Sequence, residues 1–129
     1  MNSILDTSGY SALLRGNKQV VELLERSQYI YIPIVVIGEL RTGFAHGTKN
    51  NENKKNLDRF LSDPAVSILY LTDRTTETFS DIYVELRRNG TPIGQNDLWI
   101  SALAREHGFT VITADADFSR VQGIDCIVI

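Results

Sequence analysis

The chain has 129 residues, 43% apolar and 22% charged, with one cysteine and a formal net charge of −3. These values fit one soluble globular domain over residues 1–129, large enough for a conventional core. They exclude an intramolecular disulfide and a cysteine-based zinc site, and they argue against holding nucleic acid by bulk positive charge.

In chain order, Ser3-Ile4-Leu5 reads as a short strand running into Asp6-Thr7-Ser8-Gly9, a loop and helix start. Residues 10–14 and 17–26 read as two short helical stretches broken near Gly16. In the second, Val20, Val21, Leu23 and Leu24 form a stripe while Glu22, Glu25 and Arg26 face water. Tyr29-Ile30-Tyr31-Ile32, closed by Pro33, predicts a second strand. From 34 to 46 the period turns helical, with Val36, Leu40 and Phe44 on one face and Glu39 beside them. The polar stretch 48–56 starts an exposed helix, in which Leu57, Phe60 and Leu61 restore an apolar face before Asp63-Pro64.

Residues 66–71 predict a third strand, and Thr72 or Asp73 caps a long helix that stops at Asn89-Gly90. After a loop over 91–96, Asp97 opens a helix that ends at His107-Gly108. The apolar run 109–112 predicts a central parallel strand, 115–120 a turn or short helix, and 125–129 a last strand. Strands that alternate with helices predict an α/β domain, a central parallel sheet of about five short strands flanked by helices. No run is long enough to span a bilayer, and Asp6 interrupts the N-terminal apolar stretch too soon for a secretory signal, so a cytoplasmic protein is expected.

In parallel sheets, ligand sites lie beyond the carboxyl ends of the strands. Asp6 and Asp115 each follow a strand directly, which puts both on one edge. Taken singly, Asp6 reads equally as an N-cap, Asp97 as a first-turn acid favoured by the helix dipole, and Asp115 and Asp117 as solvated loop acids. Glu39, amid Val35, Val36, Ile37 and Leu40, is expected to need a partner in order to stay charged. Together, Asp6, Glu39, Asp97 and Asp115 would repel one another unless a divalent cation joined them, and oxygen donors suit Mg²⁺ or Mn²⁺. Phosphate-ester hydrolysis is the chemistry that most often uses such a cluster.

Other constellations are missing: no glycine-rich phosphate loop, no dinucleotide fingerprint, no Gly-x-Ser-x-Gly. The Asp-x-Asp of a phosphatase is replaced by Asp6-Thr7-Ser8, and a receiver's acidic pair is absent. His107 reads as a dipole-compensating residue at a helix end, Trp99 as a core or dimer contact, and Cys126 as a small buried hydrophobe. Arg41, His46, Lys49, Lys54, Lys55 and Arg59 form a basic stretch that serves either as a solvated helix face or as an RNA contact.

Four segments carry a resemblance to a known family: Ile4-Leu5-Asp6-Thr7-Ser8, Ile37-Gly38-Glu39-Leu40-Arg41-Thr42-Gly43, Asn96-Asp97-Leu98-Trp99-Ile100-Ser101-Ala102-Leu103-Ala104 and Val111-Ile112-Thr113-Ala114-Asp115-Ala116-Asp117-Phe118. Their order and spacing resemble the PIN-domain family, in particular the VapC-type toxins of bacterial toxin–antitoxin pairs. The resemblance implies a small parallel-sheet fold and an Mg²⁺- or Mn²⁺-dependent endoribonuclease, with tRNA or rRNA as substrate. Carried over, Asp6, Glu39, Asp97 and Asp115 fall on the catalytic and metal-binding acids, with Ser8 and Thr113 as supporting residues and Asp117 an additional acid. It also implies a homodimer and a cognate antitoxin. A PIN-like module that binds RNA or protein without cutting is the alternative.

Overall fold

The computed structural model describes residues 1–129. Its strands are short, and the inner ones are buried by helices packed on either side of one sheet while the edge strands stay partly exposed. Asn2–Leu5 (β1), Tyr29–Pro33 (β2), Val66–Leu69 (β3), Thr110–Thr113 (β4) and Asp125–Val128 (β5) are parallel, in the order β3-β2-β1-β4-β5. The connections are Thr7–Leu14 (α1), Lys18–Glu25 (α2), Ile34–His46 (α3), Asn50–Leu61 (α4), Asp73–Arg88 (α5) and Gln95–His107 (α6), with a 3₁₀ turn over Ala116–Arg120.

Period-two alternation assigns the core. Ile4 and Val111 enter the larger cluster, with Val36, Leu40 and Phe44 of α3, Leu57 of α4 and Leu103 of α6. Leu5 and Ile112 point the other way, onto Ala12, Val20 and Leu24 of α1 and α2. The predicted stripe Val36, Leu40, Phe44 is buried as expected. A third cluster, including Ile82, Leu86, Leu98 and Ala102, joins α5 to α6.

The interior position expected for the strand after Phe109 holds: β4 pairs with β1 on one side and β5 on the other, and β1 is the middle strand. Phe109 stays outside the ladder, because its amide donates to the Ala104 carbonyl of α6 at 3.1 Å; its ring stacks on Tyr31 at 4.5 Å and on His107 at 5.2 Å between centroids. Two helices start earlier than predicted. Asp6 caps α1 so that it begins at Thr7, and α6 begins at Gln95 behind Gly94, inside the expected loop. β3 ends at Leu69, two residues short of the predicted run. The predicted stop of α6 holds: Gly108 has φ 72°, left-handed backbone that glycine adopts without a Cβ clash. No helix is long and apolar enough to cross a membrane.

From β1 the chain winds outward to β2 and β3, then returns to the other side of β1 to form β4 and β5. The sheet therefore has its topological switch point between β1 and β4, where loops leaving the strand ends diverge and open a crevice. Asp6 follows β1 and Asp115 follows β4, on adjacent strands paired Leu5 to Ile112.

Candidate active site

Asp6 ends β1 in extended backbone and caps α1, its Oδ1 accepting from the Gly9 amide at 2.7 Å. The capping and site readings are thus not alternatives: the cap fixes the carboxylate over the crevice. Ser8 Oγ donates to both oxygens at 2.8 and 3.0 Å, and Thr113 Oγ1 donates to Oδ2 at 2.6 Å. Asp6 is 4% exposed, and this set of donors is what makes so buried a carboxylate tolerable. Both predicted supporting residues therefore act on Asp6. Their hydroxyl oxygens in turn accept the amides of Ala114 (2.8 Å, to Ser8) and Asp115 (2.9 Å, to Thr113), binding the loop after β4 to the first turn of α1.

Gly9 permits this closeness. A Cβ there would stand 2.5 Å from the Ile112 carbonyl oxygen and 3.2 Å from Asp6 Oδ1. Gly9, unassigned from sequence, is thus part of the site's scaffold.

Asp115 caps the 3₁₀ turn, its Oδ1 accepting the Asp117 amide at 2.9 Å. Asp117 pairs with Arg120 at 3.2 Å, and Arg120 donates to the Pro92 carbonyl at 3.3 Å. That additional acid therefore holds the loop leading into α6.

Glu39 differs from its expected setting. It is exposed, because α3 turns Val36, Ile37 and Leu40 inward and leaves Gly38 and Glu39 outward. Its partner is the Thr7 hydroxyl, which donates to Oε1 at 3.0 Å. Thr7, another residue not singled out from sequence, thereby ties α3 to the start of α1. Glu39 also lines an open groove with Gly38, Thr42 and Asn96.

Asp97 stands in the first turn of α6, where the helix dipole favours negative charge. Its carboxyl is nonetheless pushed up to about 6 by partial burial first, then by the charges of Asp115, Asp6 and Glu39, with a hydrogen bond to Asp115 adding to the rise. Three like charges converge on it, and the dipole does not offset them. The protein's ion pairs are Arg105–Glu85, His107–Glu106 and Arg120–Asp117, so no basic side chain neutralises any of the four acids.

This donor set fits a hard divalent cation, with oxygen ligands, excess negative charge and a raised Asp97 that a cation would relieve. The acids are close enough to feel one another, yet no three of them form a tight ligand cage on their own. The basic stretch is placed differently. Arg41 and His46 on α3, Lys49 before α4, and Lys54, Lys55 and Arg59 on α4 are all exposed, and no ion pair or hydrogen bond links their side chains to the acids. Trp99 is half-buried against Phe79, their ring centroids 3.9 Å apart, and Cys126 is half-buried and unpaired.

The family model described as PIN domain matches residues 3–124. A protein of Rickettsia felis named Ribonuclease VapC2 is 30% identical over 105 residues, covering 81% of this chain and 77% of its own length. Ribonuclease VapC1 of the same organism is 30% identical over 133 residues, covering 100% of this chain and 97% of its own. Among solved structures, VapBC2 from Rickettsia felis bound to a DNA fragment from its promoter superposes with a TM-score of 0.88 at 27% identity, covering 100% and 99% of the two chains.

Proposed function

The chain belongs to the PIN-domain family, and from that premise we propose that it is an Mg²⁺- or Mn²⁺-dependent endoribonuclease toxin, cutting tRNA or rRNA and so arresting translation until a cognate antitoxin neutralises it. One observation carries the reading: at the switch point of the sheet, three carboxylates converge on Asp97 without a basic partner. The names of the relatives, Ribonuclease VapC1 and VapC2, support the nuclease activity. The VapBC2 complex supports an antitoxin partner and a hetero-oligomer, and a homodimer belongs to the same reading.

Asp6, Asp97 and Asp115 would hold the cation, with Glu39 either a fourth ligand or the group that orients the attacking water. When bound, the cation would activate water and offset charge developing on the phosphate. The chain's own residues do the rest. Donors from Ser8, Gly9 and Thr113 fix Asp6 in one orientation, so a ligand binds without first ordering it. Asp97, its carboxyl pushed up to about 6 by partial burial and by the neighbouring acids, carries a strained charge that a bound cation would relieve. Glu39, exposed and tethered only through Thr7, has the freedom to follow a water. Arg41, His46, Lys54 and Lys55 would contact RNA phosphates away from the reacting bond.

The test is cleavage of labelled total tRNA and rRNA by purified protein with Mn²⁺, Mg²⁺ or EDTA, alongside Asp97→Asn. Discrete fragments that need metal and vanish in the variant are expected. Metal-independent cleavage, or a variant as active as the parent, would overturn the proposal. The exposed basic stretch favours a second reading, a non-cutting binding module, which would show RNA retention without fragments under every metal.

A further inference from the structure

We propose that the groove between α5 and the first turn of α6 is a nucleobase subsite, holding one unpaired base of the RNA strand next to the acidic cluster. The inference rests on the ribonuclease reading and names a part of the substrate contact it leaves open.

The groove encloses about 340 Å³, at the small end of ligand clefts. Phe79, Tyr83 and Arg87 of α5 form one wall, and Gln95 and Leu98 of α6 belong to the other. Asp97 lies between those two α6 residues and turns toward the other acids, so groove and acids share one helical turn, about 5 Å of rise. The Phe79 and Tyr83 rings are nearly parallel, 14° apart, and Trp99 backs Phe79. Tyr83 is 46% exposed, a large aromatic face left in water.

Charge identifies the occupant. Arg87 lies 5.6 Å over the Tyr83 ring and donates to its hydroxyl at 3.2 Å, and it enters no ion pair. On α5 the acids Asp73, Glu77, Asp81 and Glu85 share about a third of the helix circumference, and the arc carrying Phe79, Tyr83 and Arg87 holds none. An aromatic face, an unpaired guanidinium and no acid suit a stacked base with its phosphate. A purely apolar peptide would leave the arginine without a counter-charge.

Trp99, the single tryptophan, gives a readout independent of catalysis. Its fluorescence is titrated with total tRNA and with short single-stranded RNA of mixed sequence, for the parent, Tyr83→Ala, Arg87→Gln and Arg88→Gln. Cleavage kinetics and sedimentation mass are measured on the same samples. Saturable quenching is expected, weakened about tenfold by Tyr83→Ala and by Arg87→Gln, with the cleavage defect in KM. Arg88→Gln, on the other edge of α5, is expected to change affinity less than twofold. Unchanged affinity in Tyr83→Ala and Arg87→Gln overturns the subsite, as does a fall in sedimentation mass that accounts for the loss, which would make the groove a contact between copies. RNA bound through Tyr83 but never cut keeps the subsite and refutes the nuclease. Cleavage indifferent to Tyr83 does the reverse, and no binding by the parent overturns the subsite.

Discussion

Replacing Asp97 with asparagine should stabilise the metal-free protein while removing its response to metal. In the folded chain Asp97 loses its proton near pH 6 against an ordinary 3.8. Between those values the folded state binds more protons than the unfolded state, so stability falls as pH rises through the window. The full rise corresponds to a ceiling of about 3 kcal/mol. Asp97 is only half-buried, and solvent screening reduces the effect to about 1 kcal/mol. For a domain of this size that is a Tm higher by about 3–5 °C for Asp97→Asn at pH 7–8, shrinking to nothing at pH 4. A divalent cation inverts the order. At about 100 times its Kd it stabilises the parent by about 2.7 kcal/mol, and the variant gains far less. Thermal melts by circular dichroism at pH 4, 5, 6, 7 and 8, with EDTA or Mn²⁺, read both effects. A variant less stable than the parent at pH 7–8 in EDTA, or a difference that ignores pH, would refute the account of Asp97 as a carboxyl strained by its acidic neighbours.

Three further substitutions probe the scaffold. Asp6→Asn keeps the Oδ1 that caps α1 and leaves Thr113 a rotatable hydroxyl, so the fold should survive within about 1 kcal/mol while RNA cleavage falls at least about a hundredfold. Melts and gel-based cleavage rates separate the two. Gly9→Ala drives a methyl against the Ile112 carbonyl, at a cost of about 1–3 kcal/mol. A Tm equal to the parent's would count against close packing of α1 on β4. Asp117→Asn weakens only the hold on Arg120, so its cleavage rate should stay within about tenfold of the parent's, whereas Asp115→Asn should lose at least about a hundredfold. Equal defects would show that Asp117 is itself a ligand.

The α/β architecture and the strand-end placement of Asp6 and Asp115 were legible because apolar runs ending in Asp report a local fact, the point where a buried strand meets a loop. The supporting roles of Ser8 and Thr113 came from the family resemblance, and their hydroxyls do serve Asp6. Glu39 is the exception. Its apolar neighbours suggested burial, but helical phase turned Val36, Ile37 and Leu40 inward and left Glu39 in water. Gly9 and Thr7 went unassigned because their roles depend on α1 meeting β4 and α3, contacts with no local signature. The cap at Asp6 was legible as a capping residue, whereas Gly94 offers no side-chain cap and left the start of α6 without a local signature.

The hydroxyls of Ser8 and Thr113, which meet over Asp6 from positions 105 residues apart, have a bearing on when the protein can act. β1 is the middle of the finished sheet, and one of its two neighbours, β4, follows it only after β2, β3 and six helices. At about 5–20 residues per second, Asp6 waits several seconds for Thr113 and Asp115 to exist. No early fragment can assemble the four acids, since closing the long loop between β1 and β4 comes first. Whatever potency the acids confer therefore waits on the pairing of β1 with β4.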